Sequence, residues 1–250
     1  MRNVLLIFVI AAITVSPAWA EPPKGDGWQT LFNGKDLSGW TLKLDDPKVA
    51  EGIWTVKDGV IDCQPKLQPR GDKSLYTKRA FGDYQLHVEW LIKDTPGFYD
   101  APVVLPDGSY KLDGDGKRIT KRIANADSGI YNRGFSKAQV NIWRWPIGSG
   151  EVYGYRNDAK QSAAVRAGVT PKVNADRGVG EWNTFLLTMK GDRLTVVLND
   201  KKVLDKAQLP GIPSRGPIAL QHHGGFDAKA KKWNGASSLV QFRNIYIKEL

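Results

Sequence analysis

The sequence reads WNTFLLTMKGDRLTVVLNDKKVL from Trp182 to Leu204. Two turn pairs, Gly191-Asp192 and Asn199-Asp200, separate three short runs that are rich in apolar residues. Runs of this length between turn residues are typical of neighbouring antiparallel strands. The stretch therefore predicts a meander of three strands.

The rest of the chain repeats this pattern. Residues 53–56 and 60–63 flank a short link that contains Gly59, which predicts a hairpin. Residues 84–90 alternate, with Gln85, His87 and Glu89 on the polar face. Nine Trp, eight Tyr, eight Phe and 26 Gly also favour strands over helices. We predict an all-β domain.

Three further expectations concern local structure. The closing strand, 239–248, changes the phase of its apolar residues, which indicates a bulge near Arg243 or Asn244. The only helical candidate is the stretch 161–169. Cys63 lies in an apolar run and is expected to be a buried, unreactive thiol.

The first 20 residues have the layout of a signal peptide. A charged start precedes an apolar run over 4–15 and the triplet Ala18-Trp19-Ala20, so we expect cleavage before Glu21. That run is shorter than the roughly 20 residues that span a bilayer. We predict a periplasmic or secreted protein with no membrane span. The net charge of +10 is interpreted as a basic surface, with no nucleic-acid partner.

Several strands present polar side chains in phase. Gln139, Asn141 and Trp143 face out together. Amide side chains can hydrogen-bond to sugar hydroxyls, and an indole can stack on a sugar ring, so the set suits a carbohydrate. An ordinary half-exposed strand explains these residues equally well. Tyr131 with Arg133, and Gln221 with His223, form similar in-phase sets. We expect these residues, together with His87 and Glu89, to share one concave surface.

Common catalytic signatures are missing from the sequence. It contains no G-x-S-x-G, H-E-x-x-H, Walker loop or cysteine cluster. The E-x-D-x-x-E run that sandwich glycanases use to set a carboxylate pair is also absent. These absences argue against several classes of hydrolase and against a zinc site.

Five segments in order carry a family resemblance. They are LFNGKDLSGW (31–40), DSGIYNRG (127–134), GEWNT (180–184), GPIALQHHG (216–224) and FRNIYI (242–247). Together they resemble the 3-keto-disaccharide hydrolase domain family, over one domain at 27–250. The resemblance implies a concanavalin A-like jelly-roll β sandwich of two curved antiparallel sheets. Many members have Asn where this chain has Asp127 and Glu where it has Gln139, and the excursion 94–125 is longer than expected.

The resemblance also implies a reaction. A ketone at C3 of a glycoside acidifies the C2 hydrogen, so a base can remove it, the enolate can expel the group on C1, and water can add back. The resemblance implies proton transfer by His87, Glu89, Glu151 or His223. It implies that Arg133 stabilises the enolate, either alone or with a divalent cation whose ligands are unknown. The implied carbohydrate contacts are Asp127, Tyr131, Gln139, Asn141, Trp143 and Gln221.

Two other functions fit the same sequence. A carbohydrate-binding module without turnover needs only the tryptophan and amide surface, whereas an enzyme also needs a group with a shifted pKa. A structural domain of the cell envelope would suit the basic charge but leaves the in-phase polar faces unexplained.

Overall fold

The computed structural model describes residues 22–44, 52–66 and 71–250. The predicted signal peptide lies outside the described residues. The strands are β1 Gln29–Thr30, β2 Trp40–Leu44, β3 Trp54–Lys57, β4 Val60–Cys63, β5 Gly71–Phe81, β6 Tyr84–Ile92, β7 Phe98–Pro102, β8 Thr120–Ala124, β9 Asp127–Tyr131, β10 Gln139–Trp143, β11 Asn183–Lys190, β12 Arg193–Leu198, β13 Lys201–Gln208, β14 Gly216–Leu220, β15 Phe226–Asp227, β16 Lys232–Trp233 and β17 Val240–Glu249. The helices are α1 Tyr153–Arg156 and α2 Ala163–Gly168, with 3-10 turns at Asn132–Gly134 and Ser136–Ala138.

Two antiparallel sheets form the sandwich. The larger has the order β13-β12-β11-β6-β17-β4-β3, with β1 also pairing with β17, and the smaller has the order β10-β9-β14-β5-β2. One apolar core joins them, with Phe185 and Trp90 from the larger sheet and Ile130, Val140 and Leu75 from the smaller. Burial of this apolar surface drives the two sheets together. The predicted all-β jelly-roll sandwich is confirmed.

The local predictions agree with the structure. Strands β11, β12 and β13 form the meander, and β3 pairs with β4 across Asp58 and Gly59, both at positive φ. The register between β17 and β6 shifts between Arg243 and Tyr246, and Asn244 lies there at φ 49. The bulge is therefore at the position that the sequence predicts. Helix α2 lies within the predicted stretch, and the Ser162 side chain accepts a hydrogen bond from the Val165 N–H at its start.

Cys63 is fully buried, as predicted, and burial raises the pKa of its thiol. The described helices have four and six residues, and none is long and apolar enough to cross a bilayer.

The excursion contains a β-hairpin that the sequence did not reveal. Strands β7 and β8 pair with each other in a sheet of their own, and bridges between Val104 and Tyr110 and between Leu112 and Arg118 close two small loops beyond the paired strands. We call residues 98–124 the arm. Backbone bonds within the arm, such as those from Val103 N–H to the Ile119 oxygen and from Ile119 N–H to the Lys111 oxygen, allow it to stand outside both main sheets.

Candidate functional site

A cavity of about 510 Å³ opens on the outer face of the smaller sheet. Strand alternation explains its floor: Val140 and Ile142 of β10 enter the core, so Gln139, Asn141 and Trp143 point the other way. Asp127 reaches the same cavity from β9, directly opposite Trp143 in the register. Gln221 and His223, which follow β14, complete the set of predicted residues that line it.

The amides on the floor are bonded to each other. Gln139 Nε2 donates to Gln221 Oε1 at 2.7 Å and to the Ser128 carbonyl oxygen at 3.1 Å. The first bond uses the Gln221 oxygen, and the Gln221 side chain also hydrogen-bonds to Tyr131, so one N–H of its NH₂ group is left as a donor for a ligand. The orientation of both amides is therefore fixed before a ligand binds.

Asp127 and His223 form the titratable pair of the cavity. Asp127 Oδ2 lies 3.9 Å from His223 Nδ1, and Asp127 Oδ1 is buried without a hydrogen-bond partner in the part of the chain that the structure describes. Burial raises the pKa of Asp127 to about 6, and the nearby His223 opposes that rise. His223 Nδ1 is also 2.7 Å from the Ala236 carbonyl oxygen. A carboxyl group tuned toward neutrality beside an imidazole is a typical arrangement for proton transfer.

Aromatic side chains form one wall of the cavity. The Trp143 and Trp145 rings are stacked at 4.2 Å with an interplanar angle of 2°, and Tyr153 meets both edge-on. Trp143 is buried and its Nε1 donates to the Gly148 carbonyl oxygen. Trp145 covers one face of Trp143 and is itself half-buried, so Trp145 and Tyr153 offer more aromatic surface to a ligand than the predicted Trp143 does.

His87 and Glu89 lie elsewhere, so the prediction that they share this surface is wrong. Both belong to β6 in the larger sheet, where Leu86 and Val88 enter the core and the alternate residues face away from it. His87 packs against Tyr246, and Glu89 Oε2 accepts a hydrogen bond from Arg243 Nε at 2.6 Å. Alternation correctly predicted that both side chains point away from the core. It did not show that their strand belongs to the larger sheet, on the opposite side of the sandwich from the cavity.

Arg133 is also outside the cavity. Its guanidinium donates to the carbonyl oxygens of Gly82, Gly191 and Pro213, and to Asp83 Oδ1 at 2.8 Å. Strand β9 ends at Tyr131 and Arg133 adopts φ 50 in the turn that follows, so the alternation does not continue to it. Arg133 is a buried cross-link between loops, and the prediction that it shares a face with Tyr131 is wrong.

Glu151 and Tyr131 are neighbours of the cavity and do not line it. The Glu151 side chain has no exposed surface and is paired with buried Arg156, while burial raises the pKa of Glu151 to about 7. Tyr131 is paired in register with Gln139 and packs on Tyr76 at 6.4 Å, in a small cluster separate from the core.

Eight lining residues were not predicted from the sequence, and three of them are aromatic. Trp145 continues the alternation of Gln139, Asn141 and Trp143 beyond the end of β10, and this signal could have identified it. Tyr99 belongs to the arm and Tyr153 to the short helix α1, and no local pattern connects either with the sheet.

A larger cavity of about 630 Å³ lies between the arm and α2. Four of its eleven lining residues are alanine, and its one carboxylate, Asp107, already accepts hydrogen bonds from Ser109. It contains no carboxyl–imidazole pair, whereas the amide-lined cavity contains Asp127 and His223 and is therefore the candidate site.

The described residues contain no group of three or more His, Cys, Asp or Glu side chains that could hold a metal ion. Asp127 and His223 could contribute two ligands, and a cation there would depend on substrate oxygens for the rest.

Solved structures share the fold. A crystal structure at 2.13 Å described as a glycosyl hydrolase from Parabacteroides distasonis ATCC 8503 has a TM-score of 0.55 and 23% identity, over 90% of this chain and 84% of the other. A second one from that organism, at 1.70 Å, has a TM-score of 0.53 and 18% identity, over 90% and 94%. No curated protein sequence matches the chain.

The sequence model of one family covers nearly the whole domain, matching residues 27–248. The five ordered segments fall within this match. The chain therefore belongs to the family of 3-keto-alpha-glucoside-1,2-lyase-like domains.

Proposed function

We propose that this protein is an exported enzyme that cleaves 3-keto-glycosides by elimination and hydration. The observation that carries the proposal is the Asp127–His223 pair, in which a partly buried carboxyl group with a pKa of about 6 lies beside an imidazole in an amide-lined cavity. A binding surface has no need of such a pair, whereas proton transfer near neutral pH requires one.

The reaction needs a base that removes the hydrogen from C2. The C2–H bonding electrons form the enolate of the C3 ketone, whose collapse makes a C1–C2 double bond and breaks the bond between C1 and the leaving oxygen. That oxygen takes up a proton. Water then adds to C1 while C2 regains a proton, so the balance is hydrolysis.

His223 is the proposed base. The Ala236 carbonyl oxygen can only accept a hydrogen bond, so the imidazole carries its proton on Nδ1 and has its lone pair on Nε2. When Nε2 takes the C2 proton, the ring becomes positively charged. The Asp127 carboxylate, 3.9 Å from Nδ1, stabilises that charge. The same ring can then give that proton to the leaving oxygen, and it can take a solvent proton from the attacking water and pass that one to C2.

The amides are the proposed oxyanion donors. The NH₂ group of Gln221 is held by the bond from Gln139, and Asn141 lies on the same floor. Fixed donors stabilise a developing negative charge without reorganisation during the reaction. This role replaces the one that the family resemblance gave to Arg133.

The same cavity would also suit a carbohydrate-binding module, which remains the second candidate. One experiment separates the two functions. The mature protein is incubated with a 3-keto-glucoside and, separately, with the parent glucoside. We expect release of the leaving group from the ketone only, because the C2 hydrogen of the parent is far too weak an acid. Binding of both without release from either would favour the binding module, and release from the parent would contradict the elimination.

The proposal of export rests on the layout of residues 1–20. Cell fractionation with N-terminal sequencing of the mature protein tests it. A product that begins at Glu21 in the periplasm or medium is expected, and an uncleaved cytoplasmic product would contradict it.

A further inference from the structure

A buried ion pair lies beside the floor of the amide-lined cavity. The side chains of Glu151 and Arg156 are 0% and 1% exposed, and Arg156 Nε donates a hydrogen bond to Glu151 Oε1. The Glu151 backbone is tied to the floor, because its carbonyl oxygen accepts a hydrogen bond from the Asn141 N–H at 2.9 Å. The pair therefore fixes the Arg156 guanidinium relative to β10.

This guanidinium contacts aromatic rings from three parts of the chain. Its Cζ lies 5.9 Å from the ring centroid of Trp145, 5.2 Å from that of Tyr153 and 4.9 Å from that of Tyr110. A cation within about 6 Å of a ring centroid is attracted to the ring face, most strongly where water is excluded. Trp145 and Tyr153 belong to the wall of the amide-lined cavity, whereas Tyr110 belongs to the arm and lines the larger cavity beside α2.

The arm packs against the body of the protein at this point. The Tyr110 ring is also contacted by Arg118 at 4.0 Å, and its hydroxyl donates to Asn157 Oδ1 at 3.2 Å. A Cβ on Gly108 would lie 2.9 Å from the Arg166 carbonyl oxygen, so the arm backbone lies directly on α2. One buried cation therefore contacts both the docked arm and the aromatic wall of the cavity.

We propose that Arg156 is a positioning residue, which holds Trp145 and Tyr153 in the arrangement that binds the ligand and makes that arrangement depend on the docking of Tyr110. Arg156 acts through these rings and does not itself line the amide-lined cavity. Tyr110 is then a determinant of affinity that does not touch the ligand. The identity of the ligand rests on the proposed function, but the coupling between the arm and the wall does not.

Steady-state kinetics on a 3-keto-glucoside test the effect on the site. Tyr110→Ala is the main variant, because it removes the arm's ring and keeps the buried ion pair. The wall contacts the substrate before and during the reaction, so we expect KM to rise about tenfold and kcat to stay within about twofold. Arg122→Ala is the control on the arm, at an exposed ion pair 3.7 Å from Asp100, and should keep both native values. A native KM in Tyr110→Ala, or a loss confined to kcat, would overturn the proposal.

Hydrogen exchange measured by NMR tests the coupling without a ligand. The Gly148 N–H donates to the Trp145 carbonyl oxygen at 2.9 Å, so its exchange reports local opening of the turn that carries Trp145. The Leu187 amide in the central strand β11 is the internal reference for general loss of stability. We expect the ratio of the Gly148 rate to the Leu187 rate to rise about tenfold in Tyr110→Ala and in Arg156→Met.

Arg243→Met is the matched control for Arg156→Met. Arg243 also pairs with a carboxylate, Glu89, and lies 4.0 Å from the ring centroid of Trp182, but on the outer face of the larger sheet. Its substitution should preserve the native exchange ratio.

Tyr110→Ala decides the coupling even if Arg156→Met does not fold. An unchanged exchange ratio in Tyr110→Ala, or an equal rise in the Arg243→Met control, would overturn the positioning role. If the ratio rises as expected but the native protein cleaves no 3-keto-glucoside, the positioning role stands and the proposed catalytic function fails.

Discussion

The Gln139 side chain occupies the space that a side chain at position 129 would need. A Cβ atom on Gly129 would lie 2.6 Å from both Cγ and Nε2 of Gln139 and 2.7 Å from the Val140 carbonyl oxygen. The missing side chain allows Gln139 to lie across β9 and reach Gln221. Gly129 therefore contributes to the binding site by leaving room for the Gln139 side chain.

Gly129→Ala should therefore disturb ligand binding. The new methyl group displaces Gln139, breaks its bond to Gln221 and releases the Gln221 amide. We expect the affinity for methyl glucoside to fall at least about tenfold, or about 1.4 kcal/mol, by titration calorimetry. Gly114→Ala is the control, because a Cβ there meets nothing within 4 Å. Native affinity in Gly129→Ala would show that the amide pair does not form the binding floor.

The activity should depend on the ionisation of Asp127. Burial raises the pKa of this carboxyl group to about 6, and the proposed mechanism requires the carboxylate. The value of kcat/KM on a 3-keto-glucoside should rise about tenfold per pH unit below pH 6 and level off above it, after the spontaneous rate at each pH is subtracted. In Asp127→Asn, we expect a loss of about 100-fold in kcat/KM at pH 8. A rate that falls as the pH rises through 6 would contradict this role.

The same carboxyl group should weaken the fold at high pH. Its pKa is 3.8 in the unfolded chain and about 6 in the folded one, so folding favours the protonated form. The stability that the protonated group contributes is complete below pH 3.8 and lost as the pH rises through 6. Asp127→Asn should thus match the native protein near pH 4 and exceed its free energy of unfolding by up to about 3 kcal/mol at pH 8. Urea denaturation at the two pH values measures this, and equal stability at pH 8 would argue against the raised pKa.

Arg133 should matter for stability and not for chemistry. Truncation to alanine removes the guanidinium that donates to three carbonyl oxygens, and it leaves Asp83 Oδ1 with the Gly191 N–H as its donor. We expect Arg133→Ala to lower the free energy of unfolding by about 3 kcal/mol. Arg215→Ala, at an exposed residue with a 4.0 Å ion pair, should change it by less than about 0.5 kcal/mol. The folded Arg133→Ala protein should keep kcat and KM within about threefold, and lost turnover at unchanged stability would restore the role implied by the family resemblance.

The sequence predicted the strands well because their alternation is a local property. It identified the outward face of β10, and hence Gln139, Asn141 and Trp143, from spacing alone. Alternation cannot tell which side of a sandwich an outward face occupies, so His87 and Glu89 were grouped with residues of the other sheet. It also fails where a strand ends, as at Arg133 after β9. The contributions of Tyr99 and Tyr153 depend on how the arm and α1 pack over the sheet, which no local pattern encodes.

Removal of the C2 hydrogen is the central claim, and deuterium incorporation tests it most directly. A 3-keto-glucoside is cleaved in D₂O, and the product is examined by proton NMR at early times, with the product incubated alone to measure spontaneous exchange. We predict deuterium at C2 of the native enzyme's product, formed at the rate of leaving-group release, and a loss of about 10²-fold or more in both rates for His223→Gln. Release of the leaving group with protium retained at C2 would contradict the elimination and indicate direct hydrolysis at C1.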